Sequence, residues 1–362
     1  MPKIRSTAIV LLVVLMLFAA TSCGGNVVEK PQLSDDVKTI SVIDSFGRKV
    51  QVPQNVERIA ALYSFAGYAV CLLGDGNNLV AVPGGLQRDV LLADMFPKIM
   101  DAAVPRSGGT INAEELLRIK PDLVIIRGDT AVDEKEKEKL DNTGLPYIIV
   151  EFANIKEQQE SISIIGEALG KTEKARAYNE YYDDTLKKVD EVVKNIAPED
   201  RVRVYHSENQ ATRTTHKNSL SADLARAAGI NNVSVGEELT LQDNNYFATI
   251  EQILLWDPEI IIANETTAVD LITNHPHWSG IRAVQDGKVY KLPQGISRWG
   301  HPGSVETPLA VLWTAMTAYP DKLDHVDMKK EIAFYYKTFF NIELEEEMIE
   351  TILHGEDLRE PK

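Results

Sequence analysis

Apolar and polar residues fall into distinct regimes along the chain. An uninterrupted apolar run, Ala8 to Ala20, follows Lys3 and Arg5 and gives way to the small residues Thr21-Ser22-Cys23-Gly24-Gly25. From Ile40 to Val52 apolar and polar residues roughly alternate around Phe46-Gly47-Arg48, which predicts a β-hairpin. Beyond it, short apolar runs alternate with amphipathic stretches of helix length. Arg58 to Leu62, Leu79 to Val82, Leu123 to Ile126 and Pro146 to Val150 read as buried strands, and Asn112 to Ile119 reads as a helix. Strands without polar alternation are covered on both faces, so this pattern predicts a parallel α/β sheet.

Residues 155–193 are helical in pattern, interrupted at Gly166 and Gly170. In the second helix, over 172–196, Ala175, Tyr178, Tyr182, Leu186, Val189 and Val193 recur every three or four positions and make one apolar stripe. That stripe suits a rigid connector packed along both halves. The second half restarts with Val202 to Tyr205 and a helix over 220–228. The expected organisation is an N-terminal α/β lobe over 38–170, a connector helix over 171–198, and a C-terminal α/β lobe with terminal helices over 199–362.

The two halves share an internal match. Asn112 to Ile126 and Thr249 to Ala263 each read as a capped helix that stops before a proline, Pro121 or Pro258, and feeds a buried strand. Glu114 and Glu251 occupy the same place in the two copies, seven residues before the proline. A smaller echo sets Gly76-Asn77-Asn78-Leu79 beside Ile230-Asn231-Asn232-Val233. Two echoes in the same order predict related lobes.

Composition adds exclusions. The 362 residues carry 38 Lys plus Arg against 54 Asp plus Glu, a net charge of −16, which argues against a nucleic-acid partner. Two cysteines exclude a disulfide-stapled or cysteine-rich metal scaffold. Cys71, in the run Tyr68 to Leu73, reads as a buried small hydrophobe. The basic start, the 13-residue apolar run and the small residues after it describe an export signal over 1–22, too short to span a bilayer comfortably. Ala20-Thr21-Ser22-Cys23 resembles the lipobox of bacterial lipoproteins. That resemblance implies diacylation of Cys23, stable membrane attachment and a tether over 23–37. Losing Lys3 and Arg5 with the signal takes the net charge from −16 to −18.

Catalytic signatures are missing from the sequence. There is no Walker A loop, dinucleotide fingerprint or Gly-x-Ser-x-Gly elbow. Ser304, His301 and Glu306 are neighbours in sequence only, and Glu306 reads as a helix-start residue. His275 and His277 sit in a turn-rich stretch without an acidic pair, so they read as structural or surface residues. His325 and His354 have no persuasive partner.

The chain as a whole resembles the lipoprotein substrate-binding component of ABC importers, in the family that handles ferric siderophores, haem and cobalamin. The resemblance covers about residues 38 to 357. It rests on Val42 to Arg48, Val52-Pro53, Arg58-Ile59, the two Glu-to-proline helices, Glu167 to Gly170, and Ala283 to Tyr290, in that order. It implies two Rossmann-like lobes joined by a long rigid helix, a ligand cleft between them, and an extracytoplasmic monomer. It implies docking of Glu114 and Glu251 onto a permease dimer driven by a cytoplasmic ATPase. No catalytic cofactor is implied; the cargo is a ferric siderophore, haem or a corrinoid. The fold is shared with metal-chelate enzymes, so a chelatase-like activity is the catalytic alternative.

In parallel α/β sheets ligands bind at the carboxyl ends of the strands. That rule nominates Tyr63 with Ser64, Gly84-Gly85 with Arg88, and Arg127 to Asp129 in the first lobe. In the second it nominates His206, Arg213, His216, Tyr246 and the segment Arg298-Trp299-Gly300-His301. Arginines suit anionic chelate groups, Tyr246 and Trp299 suit a conjugated or apolar surface, and His301 or Tyr63 is the candidate axial metal ligand.

Overall fold

The computed structural model describes residues 38–356 together with 358 and 359. The expected export signal, the tether and Cys23 lie outside the described residues. The expected hairpin is present: Thr39–Ile43 pairs antiparallel with Lys49–Pro53. Its turn is organised by the buried Asp44 carboxylate, which accepts from the amides of Phe46 and Arg48 and, across to the first lobe's edge strand, from Ile149 N.

The first lobe is built on a four-stranded sheet in the order Leu79–Ala81, Ile59–Ala61, Leu123–Arg127, Tyr147–Val150, all parallel. The second lobe repeats that order. Asn231–Asn232, Arg203–Ser207, Ile260–Ala263 and Val289–Lys291 form its parallel portion. In each lobe the first strand in sequence lies inside, the second on its one side and the third and fourth on the other. The chain is therefore a two-lobed α/β protein with separate sheets joined by long helices.

The sequence repeat explains this equivalence residue by residue. Asn112 caps the helix Ala113–Ile119 through its side chain, and Thr249 caps Ile250–Trp256 with a reciprocal bond from Gln252. Both helices end in a left-handed residue, Lys120 at φ 46° and Asp257 at φ 40°, just before the proline. In the first lobe Arg58 donates to the carbonyls of Ile119 and Lys120; in the second Arg203 donates to that of Trp256. These arginines satisfy carbonyls that the ends of helices leave without a partner. The amides of Asp122 and Glu259 then donate to the carbonyls of Arg58 and Arg203, both at 2.8 Å, placing the third strand beside the first.

The connector is the helix Thr172–Val193, ending short of the expected 198; a separate turn of 3-10 helix follows at Pro198–Asp200. Its stripe of Ala175, Tyr178, Tyr182, Val189 and Val193 is buried, packed on the helices Ile155–Ala168 and Thr307–Ala318. Tyr178 and Tyr335 both donate to the carbonyl of Val305 at 2.7 Å. One contiguous core runs from Ile59 and Ile125 in the first lobe through Tyr178 and Tyr182 to Val204 and Ile262 in the second. Near the C-terminus the chain returns to the first lobe, where Val90 N donates to Leu358 O and Arg359 donates to the Tyr68 hydroxyl, each at 3.0 Å. Lobes joined through shared packing and a second crossing are restricted in their relative movement.

Candidate functional site

Between the lobes lies a cleft of about 560 Å³. Its first-lobe wall is made where the parallel strands end. Tyr63 and Ser64 follow the first strand and open the helix Ser64–Leu72; Arg127 closes the third strand, and Glu151 follows the fourth. Arg127 Nε lies 3.4 Å from Glu151, whose Oε2 also accepts from Gly128 N at 2.9 Å. A Cβ at Gly128 would sit 2.6 Å from that same oxygen, so a larger residue there would push the Glu151 carboxylate aside. Arg106, 3.3 Å from Asp129, comes from a hairpin, Arg106–Ser107 with Thr110–Ile111, turned by Gly108 and Gly109 at positive φ.

The second-lobe wall comes from an antiparallel extension of its sheet. Thr214 pairs with Ser207, Arg213–Thr214 pairs with Asn245–Phe247, and Asn245–Phe247 pairs with Thr240–Gln242 through an Asp243-Asn244 turn with both φ positive. This extension carries Arg213 and Tyr246 into the cleft, where the Tyr246 ring lies 4.3 Å from that of His216, centroid to centroid. Ser219, the N-cap of the helix Leu220–Ala227, also lines it, so that helix's amino end faces the cavity.

The walls carry three arginines and three carboxylates, of which Arg106 pairs with Asp129 and Arg127 with Glu151, while Arg213 and Glu208 have no ion pair among the described residues. Asp129, Glu151 and Glu208 each accept from a protein donor, Glu208 from the Thr215 hydroxyl at 3.0 Å. By contrast, Nε of Arg213 and Nε of Arg106 are buried with no hydrogen-bond partner among the described residues. A buried donor left unpaired costs about 1–3 kcal/mol.

The floor is the turn carrying His301. His301 Nδ1 accepts from Gly303 N at 3.0 Å. Burial, then Arg298, Arg359, Arg213 and Arg127, lower its pKa to about 3, so the ring is neutral. The turn is held from beneath by the fully buried Glu306, which accepts from Ser297 N at 2.8 Å, Ser297 Oγ at 2.7 Å and the Tyr336 hydroxyl at 2.7 Å. Burial pushes the Glu306 carboxyl up, opposed by these donors. Glu306 thus positions the cleft floor, whereas its place in the sequence marks only a helix start.

The chain architecture and the cleft can be set beside known proteins. The family model described as Periplasmic binding protein matches residues 59–295. The chain belongs to this family. It is 23% identical over 332 residues to the molybdate-binding protein MolA of Haemophilus influenzae, covering 83% of this chain and 90% of that one. It is 24% identical over 319 residues to YvrC of Bacillus subtilis, an uncharacterized ABC transporter substrate-binding lipoprotein, covering 87% and 96%. A periplasmic solute-binding protein from Veillonella parvula superposes with a TM-score of 0.76 at 24% identity, covering 87% of this chain and 97% of that one. As a periplasmic binding protein the chain is a non-catalytic, extracytoplasmic solute-binding component of an ABC import system.

Of the residues nominated from sequence, the structure brings Tyr63, Arg213, His216, Tyr246 and His301 to the cleft, with Ser64, Arg127 and Asp129. Arg88, His206 and Trp299 are not among its lining residues. Arg88 ends a 3-10 turn at Leu86–Arg88. His206 points inward, its Nε2 2.7 Å from Asn264 Oδ1, beside a small separate cavity with Leu224 and Ile262. Trp299, expected at the rim, is fully buried; its large apolar surface belongs to the core. Tyr63 donates its hydroxyl to Val150 O at 3.2 Å, and burial raises its pKa, so the phenol keeps its proton. Among the described residues no group of three or more His, Cys, Asp or Glu converges as a metal site.

Sequence reading missed Arg106, Glu151 and Glu208. The Gly108-Gly109 pair was the available signal for the hairpin that delivers Arg106. Glu114 and Glu251 are both exposed on the first turns of equivalent helices. Their surroundings differ: Arg118, paired with Glu115, occupies the position at which the second lobe has Leu255, 83% exposed.

Proposed function

We propose that the protein captures an anionic metal chelate of siderophore size and delivers it to the permease while Cys23 keeps it at the membrane. The observation that carries this reading is Arg213, which lines a cleft of about 560 Å³ opposite Arg106 and Arg127 and, unlike them, has no ion-pair partner among the described residues. That volume suits a multidentate chelate, and Arg106 and Arg213 offer fixed donors to its anionic oxygens. Tyr246 and His216 supply a flat face for its organic part. Glu114 and Glu251, one on each lobe, steer docking onto basic permease surfaces.

A second reading is a bare oxyanion. It is favoured by the similarity to a molybdate-binding protein and by the same arginines. A cleft this large would have to close further to surround so small an anion.

Calorimetric titration with ferric citrate, a ferric siderophore and molybdate separates the two. Arg213→Ala is expected to lower affinity for the true cargo roughly 10- to 100-fold, the worth of a charged hydrogen bond. Unchanged affinity would remove the arginine reading. A Soret band or corrin spectrum in protein purified from its own host would replace the siderophore by haem or cobalamin. The double variant Glu114→Ala with Glu251→Ala should bind cargo normally and lose uptake in cells; normal uptake would remove the docking roles.

A further inference from the structure

His301, the candidate axial metal ligand from sequence, lines the cleft with its Nδ1 already engaged by Gly303 N. We infer that His301 holds the cargo as a neutral hydrogen-bond donor, its Nε2–H directed to an anionic oxygen, and not as a ligand to the cargo's metal. The inference rests on the reading of the cleft as a site for an anionic chelate or oxyanion.

The argument begins with one bond. A backbone amide only donates, so the Gly303 N–H that meets His301 Nδ1 at 3.0 Å requires a lone pair on Nδ1. The single proton of a neutral imidazole is then on Nε2. Metals bind the unprotonated nitrogen of a neutral ring, and here that nitrogen faces its own turn.

The turn has little freedom to release it. His301 N donates to Arg298 O at 3.2 Å, Ser304 N donates to His301 O at 2.8 Å, and the Ser304 and Ser297 hydroxyls meet at 2.7 Å above the Glu306 carboxylate. Gly303 is wedged between the ring and the first lobe, since a Cβ there would lie 3.2 Å from His301 Nδ1 and 3.5 Å from Ser64 Cβ. The arginines around the cleft separately oppose a second proton on the ring. A neutral donor beside cationic ones adds direction without adding charge. Carboxylate, catecholate, hydroxamate and oxometalate oxygens all accept such a bond.

The test uses the folded protein with gallium(III) citrate, a gallium(III) siderophore and molybdate as diamagnetic probes. Long-range ¹H–¹⁵N spectra should show His301 as the Nε2–H tautomer, still neutral as pH falls through 6.5, and still protonated on Nε2 with gallium citrate bound. His301→Gln keeps an N–H donor at similar reach and should hold affinity within a factor of about two, whereas His301→Ala should lose about three- to ten-fold. Loss of the Nε2 proton on binding, or equal losses in both variants, overturns the role of His301 and leaves the importer reading standing. Failure of the wild-type protein to bind gallium citrate, molybdate and a gallium(III) siderophore alike overturns both.

Discussion

The two lobes are the same scaffold finished in two ways. Each has the strand order second, first, third, fourth, the capped helix stopping at a left-handed residue before proline, and an arginine at the entry to the first strand bonded to the end of that helix. What differs is added at the carboxyl ends of the strands. The first lobe adds a two-stranded hairpin that delivers Arg106, and the second adds three antiparallel strands that deliver Arg213 and Tyr246. The repeated parts make the frame, and the unrepeated parts add Arg106, Arg213 and Tyr246 to the cleft lining. The outer faces diverge as well, since Glu114 lies near a charged Arg118 and Glu251 near an exposed Leu255. Glu114 and Glu251, the acids proposed to dock, thus stand in unlike surroundings on the two lobes.

Three pairs of substitutions probe how far the equivalence extends. The largest effect is expected in the third strands, where Ile125 and Ile262 occupy matching buried positions in one core. Replacing either by Ala should cost roughly 2–5 kcal/mol in denaturant unfolding. A large cost in one lobe only would break the equivalence. Arg58→Ala and Arg203→Ala should each cost about 1–3 kcal/mol, because helix-end carbonyls lose their donors. Partial exposure of those carbonyls would bring the value to the lower end, and a neutral result in either lobe would show that water replaces the arginine. The smallest effect has the opposite sign. Lys120→Gly and Asp257→Gly should stabilise by up to about 1 kcal/mol, since a left-handed residue with a Cβ is strained and glycine relieves it at some entropic cost. Destabilisation at Lys120 or Asp257 would mean that its side chain contributes more than the strain it carries.

The cleft floor shows why buried partners decide a site. Ser297, Ser304 and Glu306 are ordinary in sequence, and their hydrogen bonds exist only because the chain folds 297 back over 306 and brings Tyr336 from a later helix. His301 was legible as a cleft residue from its loop placement, but its proton arrangement depends on one amide of its own turn. Burial and the surrounding arginines lower its pKa from 6.5 to about 3, so between those values the unfolded chain binds the extra proton. Its contribution to stability is therefore complete above pH 6.5 and is lost as pH falls toward 3.

By itself, the sequence determined the local grammar. Helix caps, proline stops, buried strands, the connector stripe and the repeat that relates the lobes are all set by neighbours in the chain, and periodicity and turn chemistry expose them. Only the tertiary structure decided which strand-end side chains share the cleft. Arg213 and Tyr246 ride on short, largely polar strands with little periodicity, and their positions depend on pairing in the second lobe's sheet. Trp299 and His206 occupy loop and strand-end positions as promising as that of His301, yet they turn inward to where the core and Asn264 receive them. A strand end specifies where a residue emerges. The direction its side chain takes is set by which apolar surface must be buried and which buried polar group must be paired, and those demands come from distant parts of the chain.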